Sequence, residues 1–341
     1  MARRPSFTLL VPGLAADLGG VDTSVLPELP ALSLLLNRAD RLPADGRDLD
    51  ALLCGLFGVA PAADADPPVA ALTWLADFGT PAARSLLRAD PVHLRVDASG
   101  LLLFGPEVLR LEAEEADALL ETLNANCADR GWHFHRATPH RWYLAPPDAP
   151  QIRTCNPAPL CGRDVSTCLP AGAHAGEWNA ALNDIQMLLH DHPVNRRRRE
   201  QGRPVVSGIW PWGGGSLPEP SVVRRWTRVW TDHPLAMGLA QHHAVARADV
   251  PDTAASLDAP SDGDQLVVLD DLCPDIARRD IVQWMQCMES LESAWIEPLL
   301  QRLRRGRIAA LTLRGVGGHG FRLRRRHLLR LWRRRPFHVL L

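Results

Sequence analysis

Lysine is absent from all 341 residues, so every one of the 38 strongly basic side chains is arginine. That absence excludes the chemistries that need a lysine amine: a Walker A phosphate loop, a protein-kinase ATP site, and a Schiff-base enzyme. Any phosphate recognition falls instead to arginine, histidine, backbone N–H groups or a metal. Long apolar runs are missing as well. Nothing approaches the roughly 18 to 20 apolar residues that a membrane-spanning helix requires, and no membrane partner is expected. The start, Met1-Ala-Arg-Arg-Pro before Phe7-Thr-Leu-Leu-Val11, has the outline of a signal peptide. Pro12-Gly13 and then Asp17 interrupt it, so a first core strand is the better reading. Paired cysteine spacing is lacking too: Cys155, Cys161 and Cys168 do not form the short pairs of a zinc site, and read as reduced thiols of a cytoplasmic protein.

What is present is an ordinary globular composition, 46% hydrophobic and 23% charged, enough for one large core or two smaller ones. Charge is distributed unevenly. Residues 1–121 hold 18 acids against 9 arginines, whereas residues 301–341 hold 13 arginines and no acid. Leu328, Leu329, Leu331 and Trp332 interrupt those arginines at helical spacing, which predicts a docked amphipathic helix. The alternative is a contact with nucleic acid or an acidic partner through the Arg-rich C-terminus.

Periodicity predicts a strand at 7–11, then helices at 29–36, 49–57 and 69–78. Between 86 and 150 the texture becomes short strands (93–96, 101–104, 132–135, 141–144) around an acid-opened helix at 112–125. A Pro-rich linker, Ala145-Pro-Pro-Asp-Ala-Pro, follows. Helices at 177–190, 235–242 and 276–304 then alternate with strands at 204–210, 228–230, 266–269 and 308–313. Such alternation means α/β architecture with a mainly parallel sheet and helices on both faces. The expected domains are a discontinuous core, 1–85 and 151–341, and a small α+β insert, 86–150.

Gly315-Val-Gly317-Gly-His-Gly320 matches the dinucleotide pattern, but 21 residues remain after it, too few for a crossover and a second strand. The run Gly213, Gly214, Gly215 reads as a strand-end turn whose N–H groups face an anion. Asp270, Asp271 and Asp275 surround the end of a predicted strand, where hard-metal ligands commonly sit; capping or loop roles are the alternative.

The most specific stretch runs from Trp178 through His192-Pro-Val-Asn195-Arg-Arg-Arg-Arg to Gly202, followed by Ile209-Trp-Pro-Trp-Gly-Gly-Gly215. It resembles the archaeal-type cofactor-independent phosphoglycerate mutases, members of the alkaline phosphatase superfamily. Along its whole length the chain also resembles a bacterial group of RpfE-type regulatory proteins. The resemblance implies an alkaline-phosphatase-like fold. It also implies two divalent metals (Mn or Mg) on Asp and His ligands, with a serine or threonine carrying the phosphoryl group. Three segments depart from that pattern. Pro12 stands where the first metal-binding Asp would be. No Ser or Thr fills the nucleophile position before Leu26–Ser33, although Thr23, Ser24 and Ser33 are near. The late Asp–His motif corresponds to Leu269–Asp275, with no histidine between His243 and His319.

The expectation is therefore a catalytically degenerate mutase-like protein with no catalytic residue. It would act as a regulatory module or bind a phosphorylated small molecule through His192, Asn195, Arg197, Arg198 and Gly213–Gly215. In the alternative structural reading, Asn195 ends a helix and the arginines pair with acids. An active metal-dependent mutase or phosphatase with rearranged ligands is the competing reading; only then would Asp270, Asp271 and Asp275 hold Mn or Mg. No other cofactor is expected.

Overall fold

A computed structural model of the chain describes residues 4–14, 26–44, 48–59, 66–98, 100–219, 225–257, 263–270 and 281–333. The chain divides into two compact units, residues 1–59 with 220–341 and residues 60–219. The second unit is larger than the 86–150 insert expected from texture. The reason is a strand far downstream, Gly208–Gly215, which hydrogen-bonds to Leu86–Val92 and carries its preceding helices with it.

The first unit is built on β1 (Ser6–Leu10), α1 (Pro30–Arg38), β2 (Asp40–Ala44) and α2 (Leu49–Phe57). After the second unit the chain returns as β8 (Arg228–Trp230), α8 (Pro234–His242), β9 (Ala246–Ala248) and β10 (Asp264–Val268). It then forms α9 (Ile281–Ser290), a π-helical stretch (Leu291–Ile296), α10 (Glu297–Arg304), β11 (Ala310–Arg314) and β12 (His319–Arg324). The seven-stranded sheet has the order β2-β12-β11-β1-β10-β8-β9. Its five strands from β11 to β9 are parallel, and β12 and β2 add an antiparallel edge. The Gly315–Gly320 run is thus the turn of a β-hairpin, not a nucleotide loop. Alternation along β1 sends Phe7, Leu9 and Val11 into one core with Leu32 and Leu35 of α1 and with Leu291, Trp295, Leu299 and Leu303. Helix ends follow local chemistry. Asp48 caps α2 by accepting from the Ala51 N–H at 2.8 Å, and Gly58 at φ +76° stops it. In the π-helical stretch, the buried Glu292 carboxylate accepts from the N–H groups of Ala31 and Leu32 at 2.6 and 2.7 Å. It thereby serves the open first turn of α1, whose own N-cap, Leu29, has no side-chain acceptor.

The second unit contains α3 (Val69–Phe78), β3 (Leu86–Asp97), β4 (Gly100–Phe104), α4 (Pro106–Leu109) and α5 (Ala113–Asn126). It continues through β5 (His133–Thr138), β6 (Arg141–Ala145), α6 (Ala175–His190), α7 (Pro193–Glu200) and β7 (Gly208–Gly215). The sheet is antiparallel, in the order β4-β3-β6-β5, with β7 also on β3. Leu87 and Ala89 of β3 face a core with Leu119 and Leu123 of α5 and Ile185 and Leu189 of α6. Leu86, with Tyr143 of β6, meets Ala70 and Trp74 of α3.

The described part of the basic tail, up to Arg333, does not form the expected amphipathic helix. Residues 325–329 form a short 3₁₀ turn; Leu328 packs on the core, but Leu329, Leu331 and Trp332 are exposed. The 3₁₀ turn ends at Leu329, so Leu331 and Trp332 lie beyond it and continue no helical face. Docking is polar instead. Arg330 donates to Asp40 at 2.8 Å and to the Arg38 carbonyl at 2.9 Å, and Arg38 donates to the Leu328 carbonyl at 2.6 Å. The Arg330 hydrogen bond holds the Asp40 carboxyl below its ordinary 3.8. A depressed acid stabilises above its unfolded value, so this latch is complete above about pH 4 and weakens as the pH falls through the lower folded value. Asp40→Asn should speed hydrogen exchange at the Arg330 amide, which donates to the His327 carbonyl at 3.0 Å, several-fold, while Asp97→Asn leaves it unchanged.

Candidate functional site

In an open parallel sheet, ligands bind beyond the carboxyl ends of the strands. Here that edge is fixed by three backbone bonds: Val11 N to Arg314 O at 2.8 Å, Leu269 N to Leu10 O at 2.9 Å, and Leu14 N to Val11 O at 3.2 Å. What the turn after β1 presents is apolar. Val11, Leu14 and Trp284 are each at most 2% exposed, and the Trp284 indole N–H donates to the Gly13 carbonyl at 3.2 Å. Gly315 runs so close that a Cβ on it would sit 3.1 Å from Leu14 Cβ. Pro12 has no donor atom for a metal in its side chain. Asp270 follows β10 at this edge, half-buried. Asp271, Asp275, Thr23 and Ser24 lie outside the described residues, and Ser33 sits within α1. Among the described residues, no three His, Cys, Asp or Glu side chains are grouped to hold a metal. Leu14 and Trp284 thus form an apolar plug beside Pro12, and of the candidate metal ligands Asp270 alone is among the described residues.

The segment most specific in sequence lies in the second unit, and its polar groups are engaged within the fold. His192 is the N-cap of α7 and 8% exposed. Its Nδ1 accepts from the Val194 N–H at 3.2 Å, so Nε2 carries the proton in the neutral ring and faces Thr122 Oγ1 at 3.0 Å. Burial pushes His192 below its ordinary value, which favours that neutral form over an anion-binding cation. Asn195, 1% exposed, donates to the carbonyls of Leu189 and Val206, both at 2.7 Å, and accepts from the Val206 N–H at 2.9 Å. Arg198 is fully buried. It donates to Pro204 O at 2.7 Å, to Glu115 at 2.6 Å and to Leu109 O. Arg197 is exposed on the opposite face of the same helix. These four residues therefore do not converge on a ligand.

Gly213, Gly214 and Gly215 are also differently placed from expectation. They lie inside β7, where Gly215 is opposite Leu86, not in a turn beyond it. Gly213 has φ +63°, and a Cβ there would lie 2.9 Å from Val69 Cβ; close approach to α3 requires the glycine. Its N–H donates to Thr154 Oγ1 at 3.2 Å, and Thr154 in turn donates to the Asp66 carboxylate.

Two further features of this unit lie outside the segments singled out in the sequence. One is a buried polar layer between the sheet and α3. Arg88 and Asp90, two apart on β3 and so on one face, form a 2.7 Å ion pair. The Trp212 indole donates to Asp90 at 2.8 Å and the Trp142 N–H at 3.2 Å. Beside it, Asp77 of α3 accepts from Arg141 at 2.6 and 2.7 Å and from the Tyr143 hydroxyl at 2.5 Å. Burial first, with the Asp77 hydrogen bond also contributing, pushes the Tyr143 hydroxyl far above its usual range. It remains a donor. The Arg-x-Asp spacing at 88–90, inside the apolar first half of β3, was the available clue. The other feature is a cleft of about 280 Å³ lined by Trp132, Trp178, Pro147, Arg130, His174 and Glu177. Its two indoles stack at 4.5 Å, and Arg130 is tied to Asp184 at 2.5 Å. Mixed charge on its rim makes it no cradle for an anion.

Comparison with known proteins bears on this second unit above all. Residues 87–195 match the family model described as 2,3-bisphosphoglycerate-independent phosphoglycerate mutase. A protein of that name from Methanosarcina barkeri is 32% identical over 111 residues, 32% of this chain and 28% of that one. A 2,3-bisphosphoglycerate-independent phosphoglycerate mutase 2 from Methanothermobacter thermautotrophicus is 27% identical over 155 residues, 43% of this chain and 38% of that one. The aligned part is thus well under half of either relative. Among solved structures, the PH0037 protein from Pyrococcus horikoshii shares the fold with a TM-score of 0.55, covering 95% of this chain and 88% of that one at 12% identity. The chain is phosphoglycerate-mutase-like over β3 to the start of α7, and the family match includes neither the turn after β1 nor Asp270. Among the described residues no helix is long and apolar enough to cross a membrane.

Proposed function

We propose that this chain is a phosphoglycerate-mutase-like protein of alkaline-phosphatase-like fold that has lost the two-metal phosphoryl-transfer centre. It acts as a regulatory module of the RpfE type. The observation that supports the reading is the apolar end of β1: Pro12, whose side chain offers no donor atom, stands there, and Leu14 and Trp284, at most 2% exposed, occupy the space beside it. In-line phosphoryl transfer needs a metal to offset charge on the attacking and leaving oxygens. An apolar plug offers neither charge nor a route for water. The family match supports kinship of the scaffold and stops short of this edge.

A coupled assay for interconversion of 2- and 3-phosphoglycerate, run with Mn²⁺ or Mg²⁺, tests the reading. The expected rate is that of the buffer, for the natural chain and for Pro12→Asp alike. Metal-dependent turnover that Asp270→Asn abolishes would establish the active-enzyme reading in its place.

A further inference from the structure

We propose that the first unit carries an oxyanion site for a small phosphate-bearing ligand, formed by Arg4 and Arg325 above Gly306. Three segments meet there, at the amino edge of the sheet and so at the opposite ends of β1 and β11 from Pro12 and Asp270. Arg4 precedes β1, Gly306 joins α10 to β11, and Arg325 follows β12. Strand register fixes their meeting: Ser6 pairs with Ala310, and Ala310 with Arg324. The Ala309 N–H also donates to the Pro5 carbonyl at 2.8 Å.

The local geometry is specific. Gly306 has φ +69°, and a Cβ built on it would lie 3.2 Å from Arg4 Nη1 and 3.2 Å from Arg325 Nη1. Two guanidinium groups therefore converge on one point over a backbone that bears no side chain. Gly306 is itself buried, whereas both arginines are exposed. Arg304, Arg305 and Arg307, also exposed, flank the point. Among the described residues none of these five arginines has a carboxylate partner.

Arginines near a helix C-terminus often serve its open carbonyls, but here the backbone does so. The Gly306 N–H donates to Leu303 O at 3.0 Å and the Arg307 N–H to Arg302 O at 2.9 Å. The guanidinium groups are left without that task. Like charges brought together with no acid between them repel, and an anion at their meeting point removes the repulsion. A phosphate group suits it better than a carboxylate, because its several oxygens and greater charge accept from two guanidinium forks at once. Convergence on a single point, not along a stripe, favours a small ligand over a polyanion.

Isothermal titration of the full chain with inorganic phosphate at low ionic strength tests the site. Saturable binding is expected, weakened about tenfold or more in Arg325→Gln and unchanged in Arg84→Gln, which removes the same charge from an exposed position in the second unit. Arg4→Gln carries the same expectation from the other side, should Arg325→Gln fold poorly. Equal affinity in Arg325→Gln, Arg4→Gln and the natural chain overturns the site. So does a chain that ignores phosphate yet binds single-stranded oligonucleotide or phosphatidylserine vesicles through Arg325, since the surface would then be a polyanion or membrane contact. Neither result depends on the mutase assay, which reads the opposite edge of the sheet.

Discussion

Arg198→Ala should lower the stability of the second unit by about 3–5 kcal/mol, the range for removing one partner of a buried ion pair. Its guanidinium, fully buried, joins three pieces of chain: Pro204 ahead of β7, Leu109 at the end of α4, and Glu115 in the first turn of α5. Glu115 has a second duty, accepting from the Glu112 N–H at 3.1 Å to close the start of α5. Without Arg198, a carboxylate that is 7% exposed keeps only Arg203, 3.5 Å away, as a counter-charge, and the carbonyls of Pro204 and Leu109 lose a donor. Arg198→Lys should recover less than half of the loss, because an ammonium on a single stem cannot reach three acceptors set in a planar fork. Arg197→Ala, on the exposed face, should stay within about 0.5 kcal/mol. Urea unfolding followed by tryptophan fluorescence gives all three values. Equal effects at 197 and 198 would mean that the buried fork is not what holds α7.

The same comparison shows what the sequence made legible. Four consecutive arginines, 196 to 199, announce a basic turn of helix, but which one faces inward depends on where Glu115 and Leu109 lie, 80 to 90 residues earlier. The alternation of strands and helices exposed the parallel sheet. Glycine misleads at 213–215, whereas too little chain follows 315–320 for a nucleotide loop to be expected there. At 213–215 it permits contact with α3 inside a paired strand, and at 315–320 it turns a hairpin; local sequence cannot tell a glycine needed for close approach from one needed for a turn. β2 and β12 went unpredicted because they are short and polar-rich: Asp-Arg-Leu-Pro-Ala holds too few apolar residues to show an alternation, and β12 shows it only at Phe321 and Leu323. The proline at position 12 was legible, whereas the apolar packing behind it was not. Trp284 comes from a helix some 270 residues away.

Asp90→Ala should cost as much as the loss of Arg198, by a different route. Asp90 is the acceptor on which β3, β6 and β7 meet: Arg88 from its own strand, the Trp142 N–H from β6 and the Trp212 indole from β7. Removing it leaves a guanidinium that is 8% exposed without its counter-charge and two further donors without an acceptor, a loss of about 3–5 kcal/mol for the pair alone. The Arg88 charge also lies 5.1 Å from the Trp212 ring and 5.6 Å from the Tyr143 ring, and those contacts soften the loss without supplying an acceptor. Asp90→Asn keeps the shape and one carbonyl, so it should fall between. The discriminating variant is Arg88→Met with Asp90→Ala. If the penalty comes from an uncompensated buried charge, removing the charge as well should return about 1–3 kcal/mol, a coupling that a double-mutant cycle measures directly. Additive losses would instead assign the effect to the two tryptophan donors. The layer would then be a hydrogen-bonded clamp between strands, with its ion pair incidental to stability.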